Sequence, residues 1–276
     1  MTTVRALLDE GARALPGDAA RREAALLLRH LLGVSDAWLI AHSDNAVDGA
    51  HAAALRSLVE RRARGEPVAY LTGTRGFHAI ELHVEPGVLI PRPETEVLVD
   101  LALQRIPADA DCNVADLGTG SGAIALAIAH ARPQAHVVAT DISEAALGVA
   151  RGNAARLHVP NVEFRQGDWC AGLGDGHFDV IVSNPPYIAE GDPHLHEGDL
   201  RFEPAVALAS GSDGLDAIRA IVRSAREHLR SGGWLLLEHG FDQGSDVCDL
   251  LLERGFAEVF TQDDLEGRER VTGGRI

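Results

Sequence analysis

The chain has 276 residues, 46 % of them hydrophobic, and a net charge of −16. That length allows one large domain or two ordinary ones and supports a sizeable core. A negative field of that size repels phosphate backbones, which argues against extended duplex nucleic acid as the main ligand.

Residues 1–65 are rich in Ala, Leu and Arg at helical spacing. In "DAARREAALLLRHLLG", Asp18 is the expected N-cap and Gly33 the stop, and "GAHAAALRSLVERRARG" repeats the pattern up to Gly65. A helical domain of three to five helices is predicted, with Trp38 packed in its core. Residues 66–92 change texture, with β-branched and aromatic residues among several Gly and Pro, and read as a β-hairpin or linker. Pro93 then stands where a proline helps to start a helix, opening the domain 93–276. From 113 onward apolar runs alternate with amphipathic segments, which predicts an α/β, mainly parallel sheet with helices on both faces. The last two strands have no helix between them and are expected to form an antiparallel hairpin at the sheet edge.

Cys112, Cys170 and Cys248 form no CxxC pair, so neither a disulfide framework nor a metal site is expected. "MTTVRALLDEGARALPG" is not a signal peptide, and no run approaches the ~18 apolar residues of a membrane span. The expectation is a cytoplasmic monomer with no membrane association.

In open parallel sheets, ligands sit outside the carboxyl ends of the strands. Here the first strand ends in Gly118-Thr119-Gly120-Ser121-Gly122, the second in Asp141, the third in Asp168-Trp169 and the fourth in Asn184-Pro185-Pro186-Tyr187. The glycines allow a tight turn and close ligand approach. Asp141, a little over 20 residues on, stands where a carboxylate meets ribose hydroxyls. The glycines alone leave NAD and S-adenosylmethionine both open, because Gly118-x-Gly120-x-x-Ala123 also fits the dinucleotide fingerprint. The Asn-Pro-Pro-Tyr end decides between them. An –NH2 group needs two acceptors, and the Asn184 side-chain oxygen with the Pro185 carbonyl can supply them, while the Tyr187 ring packs on a flat amide or base. Catalytic roles are therefore expected of Asn184, Pro185 and Tyr187, and substrate contact of Asn184 through Tyr187, Pro186 included. His194 and His196 read as part of a solvated loop, Glu238-His239 as pocket or structural residues, and Glu94 and Glu96 as first-turn acids.

The blocks "EPVAYLTG", "VLIPRPETEVLVD", "VADLGTGSGAIALAIA", "FDVIVSNPPYI", "LRFEPAVALASGSDGL", "GGWLLLEHG" and "RERVTGGR" run through nearly the whole chain. In that order they resemble the class I S-adenosylmethionine methyltransferases carrying NPPY, and more narrowly the HemK/PrmC protein-(glutamine-N5) methyltransferases that act on peptide chain release factors. The resemblance implies a helical N-terminal domain, a hairpin connection and a seven-stranded catalytic domain. It implies S-adenosyl-L-methionine as cofactor, with Gly118, Thr119, Gly120, Ser121 and Gly122 along its methionine and ribose part, Asp141 on the ribose, Trp169 beside the adenine and Asn184 near the methyl. It implies a release-factor glutamine as the methyl acceptor, and so acidic a chain is expected to have no direct nucleic-acid substrate. Three alternatives differ: a ribosomal-protein glutamine, a nucleic-acid base, or a non-catalytic S-adenosylmethionine-binding protein. The first two keep the same site chemistry, and the acidic chain and "IPRPETE" favour the release factor.

Overall fold

The spacing of apolar residues in 1–65 closes a small helical core in the computed structural model, which describes residues 2–276. The chain divides into two compact units, 1–74 and 75–276. In the first, β1 (Thr2–Thr3) leads into α1 (Val4–Ala14), followed by α2 (Ala20–Leu32), α3 (Asp36–Ala41), β2 (Ala46–Val47), α4 (Gly49–Ala63) and α5 (Val68–Thr72). Val4, Leu7, Leu8 and Gly11 repeat every three or four residues and form the buried stripe of α1. Gly11 lets that stripe approach α2 closely, since a Cβ there would lie 2.9 Å from that of Ala24. Thr3, Ser35 and Asp48 cap α1, α3 and α4 by accepting backbone N–H bonds.

Several expectations shift here. Asp18 is not the cap of α2, which starts after Ala19 without a side-chain cap, whereas Gly33 does end it in the left-handed region at φ 63°. Trp38 only borders the core, stacked on His42 at 4.3 Å, while its neighbour Leu39 is the buried residue of α3. The boundary expected after residue 65 falls after Thr74. Pro67 starts α5 instead of a strand, and the hairpin is shorter than 66–92, formed by β3 (Thr74–Phe77) and β4 (Ile80–His83).

The second unit continues with α6 (Glu96–Arg105), preceded by a 3-10 turn at Pro93–Thr95, then β5 (Asn113–Leu117), α7 (Ala123–Ala131), β6 (His136–Asp141), α8 (Glu144–Leu157), β7 (Val162–Gln166), β8 (Phe178–Ser183), α9 (Asp216–His228), β9 (Leu229–Glu238), α10 (Gly244–Glu253), β10 (Ala257–Asp263) and β11 (Glu269–Arg275). The seven-stranded sheet has the order β10-β11-β9-β8-β5-β6-β7. Strands β5 to β9 are parallel, and β11 enters antiparallel between β9 and the edge strand β10. The seven strands and the antiparallel close match the sequence expectation. From β5 the chain steps outward through β6 and β7, then returns to place β8 on the other side of β5. The β5/β8 boundary is thus a topological switch point, the place where such sheets open a crevice. Leu117 and Ser183 are register partners across it, so the glycine turn and Asn184 leave the sheet side by side.

Helix α8 ties the hairpin to this edge through one buried side chain. Asn153 Oδ1 accepts from the His83 N–H at 2.7 Å, and its Nδ2 donates to the carbonyls of His83 and Ser121, both at 2.9 Å. Removing a buried partner costs the desolvation of every group left behind. Asn153→Ala should therefore destabilise the protein by about 2–4 kcal/mol, read as a lowered chemical-denaturation midpoint.

Candidate active site

The turn after β5 is held from beneath. Gly118, Gly120 and Gly122 all have positive φ, 73°, 56° and 86°, a region that L side chains rarely adopt. The N–H groups of Gly118 and Thr119 both donate to the Thr140 carbonyl at 2.9 Å. Asp116, fully buried, accepts from the Thr119 hydroxyl at 2.6 Å and the Ala125 N–H at 3.1 Å, which fastens the turn to the start of α7. Burial pushes the Asp116 carboxyl up to about 7, and its Oδ1 has no hydrogen-bond partner. A Cβ on Gly118 would stand 3.0 Å from the Trp169 ring. Trp169 itself takes a left-handed φ of 48°, and its carbonyl accepts from the Thr140 hydroxyl at 3.2 Å.

Asp141 stands at the end of β6. Its two oxygens accept from the N–H groups of Gly120 at 2.9 Å and Ser143 at 2.8 Å, which fixes the carboxylate at the cavity wall. Gly118, Gly120, Asp141, Trp169, Asn184 and Pro186 all line one cavity of about 570 Å³. Thr119, Ser121 and Gly122 do not line it. The Thr119 and Ser121 side chains are buried, the former on Asp116, and Gly122 packs against Leu126 and Ala150. Residues passed over in the sequence also line it, among them Ile142 and Val206, apolar yet 60 % and 70 % exposed. Apolar side chains left open around a cavity fit an occupant with a flat apolar face. For Ile142 the signal was its place directly after Asp141. Val206 lies in a long irregular segment and had none.

The Asn-Pro-Pro-Tyr segment faces two ways. Asn184 and Pro186 line the large cavity and also a crevice of about 60 Å³, whose walls include Pro185, Tyr187 and Arg92. The Asn184 Nδ2 donates to Thr95 Oγ1 at 3.1 Å, leaving its Oδ1 as the acceptor end. The Tyr187 hydroxyl donates to Glu238 Oε1 at 3.4 Å, and the Tyr187 carbonyl accepts from Gln243 at 3.0 Å. Glu238 is 1 % exposed, and burial pushes its carboxyl up to about 7 despite the Thr95 hydroxyl, Arg270 and Tyr187 beside it. Burial together with Glu238 also pushes the Tyr187 phenol far above its usual range. Glu203, buried, accepts from the Ile90 N–H at 2.9 Å and pairs with Arg92, tying the "PRPETE" segment to the loop that carries Val206.

The remaining candidates stand apart from this centre. His194 and His196 lie in an exposed 3-10 turn, with His194 on Asp192 at 2.7 Å, and line neither cavity. Glu96 accepts from the His78 N–H at 3.0 Å. Among the described residues no group of three or more His, Cys, Asp or Glu is placed to hold a metal ion, and no helix is long and apolar enough to cross a membrane.

The arrangement sets a large cavity beside a narrow slot, with Leu89, Asn184, Pro186 and Ala207 in the walls of both. Comparison with known proteins points the same way. The family described as Methyltransferase small domain matches residues 85–199, and the PrmC N-terminal domain matches 6–73. The chain is 55 % identical over 255 residues to a release factor glutamine methyltransferase of Xylella fastidiosa, covering 92 % of this chain and 93 % of that one. It is 52 % identical over 270 residues to the enzyme of the same name from Burkholderia pseudomallei, covering 96 % and 94 %. A T. thermophilus 16S rRNA methyltransferase, solved with AdoMet and guanosine, superposes with a TM-score of 0.55 at 23 % identity over 73 % of this chain and 49 % of that one, a likeness of fold.

Glu238 yields a test of this electrostatic picture. Its folded pKa, about 7, lies above the ordinary 4.5, so the folded chain holds a proton there that the unfolded chain has already released. Its contribution to stability is full below the unfolded value and is lost as pH rises through the folded one. Glu238→Gln should therefore gain stability relative to the parent chain between about pH 5 and about pH 8, by up to roughly 3 kcal/mol, measured as unfolding midpoints across pH.

Proposed function

The chain belongs to the family of release factor glutamine methyltransferases and takes its methyl group from S-adenosyl-L-methionine; from that premise we propose that it methylates the side-chain amide nitrogen, N5, of the glutamine in the Gly-Gly-Gln motif of class I peptide chain release factors, in support of translation termination. The observation that carries the reading is that Asn184 and Pro186 belong at once to the large cavity and to the crevice. A donor in one and an acceptor in the other would meet at Asn184.

The residues present fit S-adenosylmethionine. Asp141 spends one contact of each carboxylate oxygen on a backbone N–H, and the remaining lone pairs suit a vicinal diol. Trp169, Ile142 and Val206 offer apolar faces to a base, and Gly118 and Gly120 let the ligand approach the backbone. When bound, the cofactor supplies a methyl group activated by a sulfonium.

The chain's own residues would then handle the amide. An amide nitrogen is a weak nucleophile because its lone pair is delocalised into the carbonyl. Asn184 Oδ1 and the Pro185 carbonyl accept its two hydrogens, orient it toward the large cavity and favour a pyramidal nitrogen. Pro185 and Pro186 fix φ and end the β8 ladder, so these acceptors meet substrate instead of a neighbouring strand. Tyr187 acts through its ring as a wall of the crevice. Its hydroxyl is engaged by Glu238 and its phenol is held protonated, which leaves it no role as a base; the N–H proton displaced as the N–C bond forms and the sulfonium–methyl bond breaks is acidic enough to pass to water. Alignment of this kind lowers barriers by roughly 7–11 kcal/mol. The helical unit serves recognition of the protein partner, and the enzyme acts as a cytoplasmic monomer. The net charge of −16 disfavours a nucleic-acid substrate.

Labelled S-adenosylmethionine offered with purified release factor, ribosomal protein and DNA in parallel tests the substrate. Label should appear on the release factor and vanish when its Gly-Gly-Gln glutamine is replaced; label only on nucleic acid would overturn the reading. Within the site, Asn184→Ala should lower kcat by ~10²–10³, and near-parental turnover would remove the assigned role.

A further inference from the structure

An asparagine can offer its substrate either a carbonyl or an NH2, and only the carbonyl serves an amide N–H. The choice is made behind Asn184. Its Nδ2 meets Thr95 Oγ1 at 3.1 Å, and Thr95 is 3 % exposed. Beyond Thr95 lies the buried Glu238 carboxyl, whose charged form the Thr95 hydroxyl favours. Glu238 Oε1 takes the Tyr187 hydroxyl at 3.4 Å, while Oε2 is buried with no hydrogen-bond partner. The charged and titratable groups that face Glu238 are Arg270 on β11, Glu94 in the turn before α6, and Tyr187.

A hydroxyl has one hydrogen. Given to a carboxylate, it leaves only lone pairs at Thr95 Oγ1, and those accept only from the Asn184 NH2. The opposite rotamer would set an amide oxygen against lone pairs. We propose that Glu238 and Thr95 are positioning residues that lock the direction of the Asn184 amide, with Glu238 drawing the Thr95 hydrogen and Thr95 drawing the Asn184 NH2, so that Oδ1 faces the substrate. The three residues come from the end of β9, the turn before α6 and the end of β8. The proposal rests on Asn184 being the acceptor for the substrate amide.

The test compares kcat and S-adenosylmethionine binding in Thr95→Val, Thr95→Ser and Asn184→Ala. Thr95→Val keeps the shape and removes the hydroxyl. It should lower kcat roughly tenfold or more without weakening S-adenosylmethionine binding, and should add no further loss on top of Asn184→Ala. Thr95→Ser should restore most of the rate. Parental kcat in Thr95→Val with an inactive Asn184→Ala overturns the lock and spares the acceptor role. An active Asn184→Ala overturns the acceptor role itself. A Thr95→Ser variant as slow as Thr95→Val would mean packing, and also overturns the lock. A second readout covers the case in which Thr95→Val does not fold. A protonated Glu238 would donate to Thr95 and reverse the asparagine, so kcat should fall with pH below about 7, and that limb should be missing in Glu238→Gln. A limb that persists in Glu238→Gln contradicts the proposal.

Discussion

The parallel pairing of β5 with β8 is the constraint on which the rest depends. Because Leu117 and Ser183 are partners in that register, two unrelated turns leave the sheet next to each other. One is rich in glycine and opens a large cavity. The other is stiffened by two prolines and closes a small one. A slip of one residue would send the alternate side chains of β8 to the opposite face, and the asparagine would no longer stand between the two spaces. The apolar strands, buried on both faces by α7, α9 and their neighbours, hold that register.

Around this pair the structure uses buried carboxylates as fasteners. Asp116 binds the glycine turn to α7, Glu203 binds the segment before α6 to the loop carrying Val206, and Glu238 stands behind Thr95 and Tyr187. Each is desolvated, and burial raises the pKa of each. A buried carboxylate is a poor contributor to stability but a directional one, since it accepts and does not donate when ionised. Here each one fixes a segment that borders one of the two cavities, so part of the stability available from an apolar core is given up for the orientation of the atoms that line them.

Much of this was legible in the sequence because the signals are local. Strand ends carry their own residues, so Gly118, Asp141, Trp169 and Asn184 could be assembled on one edge from topology alone. The terminal hairpin followed from the missing helix between β10 and β11. The features that escaped depend on distant pairing or on side-chain direction. Thr95 and Asn184 are separated by 89 residues and Arg92 and Glu203 by 111, and no periodicity connects them. Thr119 and Ser121 sit within the right turn, yet the backbone turns their side chains inward. Helix α5 was hidden because Pro67 reads equally as a strand breaker and as a helix start.

The central claim is that Asn184 offers its oxygen to a substrate amide at the meeting point of the two spaces. A crystal structure of the enzyme with S-adenosylhomocysteine and a Gly-Gly-Gln peptide tests it directly. The account predicts the glutamine side-chain nitrogen in the crevice, at roughly 2.7–3.2 Å from both Asn184 Oδ1 and the Pro185 carbonyl, with Asn184 Nδ2 still on Thr95. A glutamine amide bound outside the crevice, or one whose oxygen lies against Asn184, would contradict it.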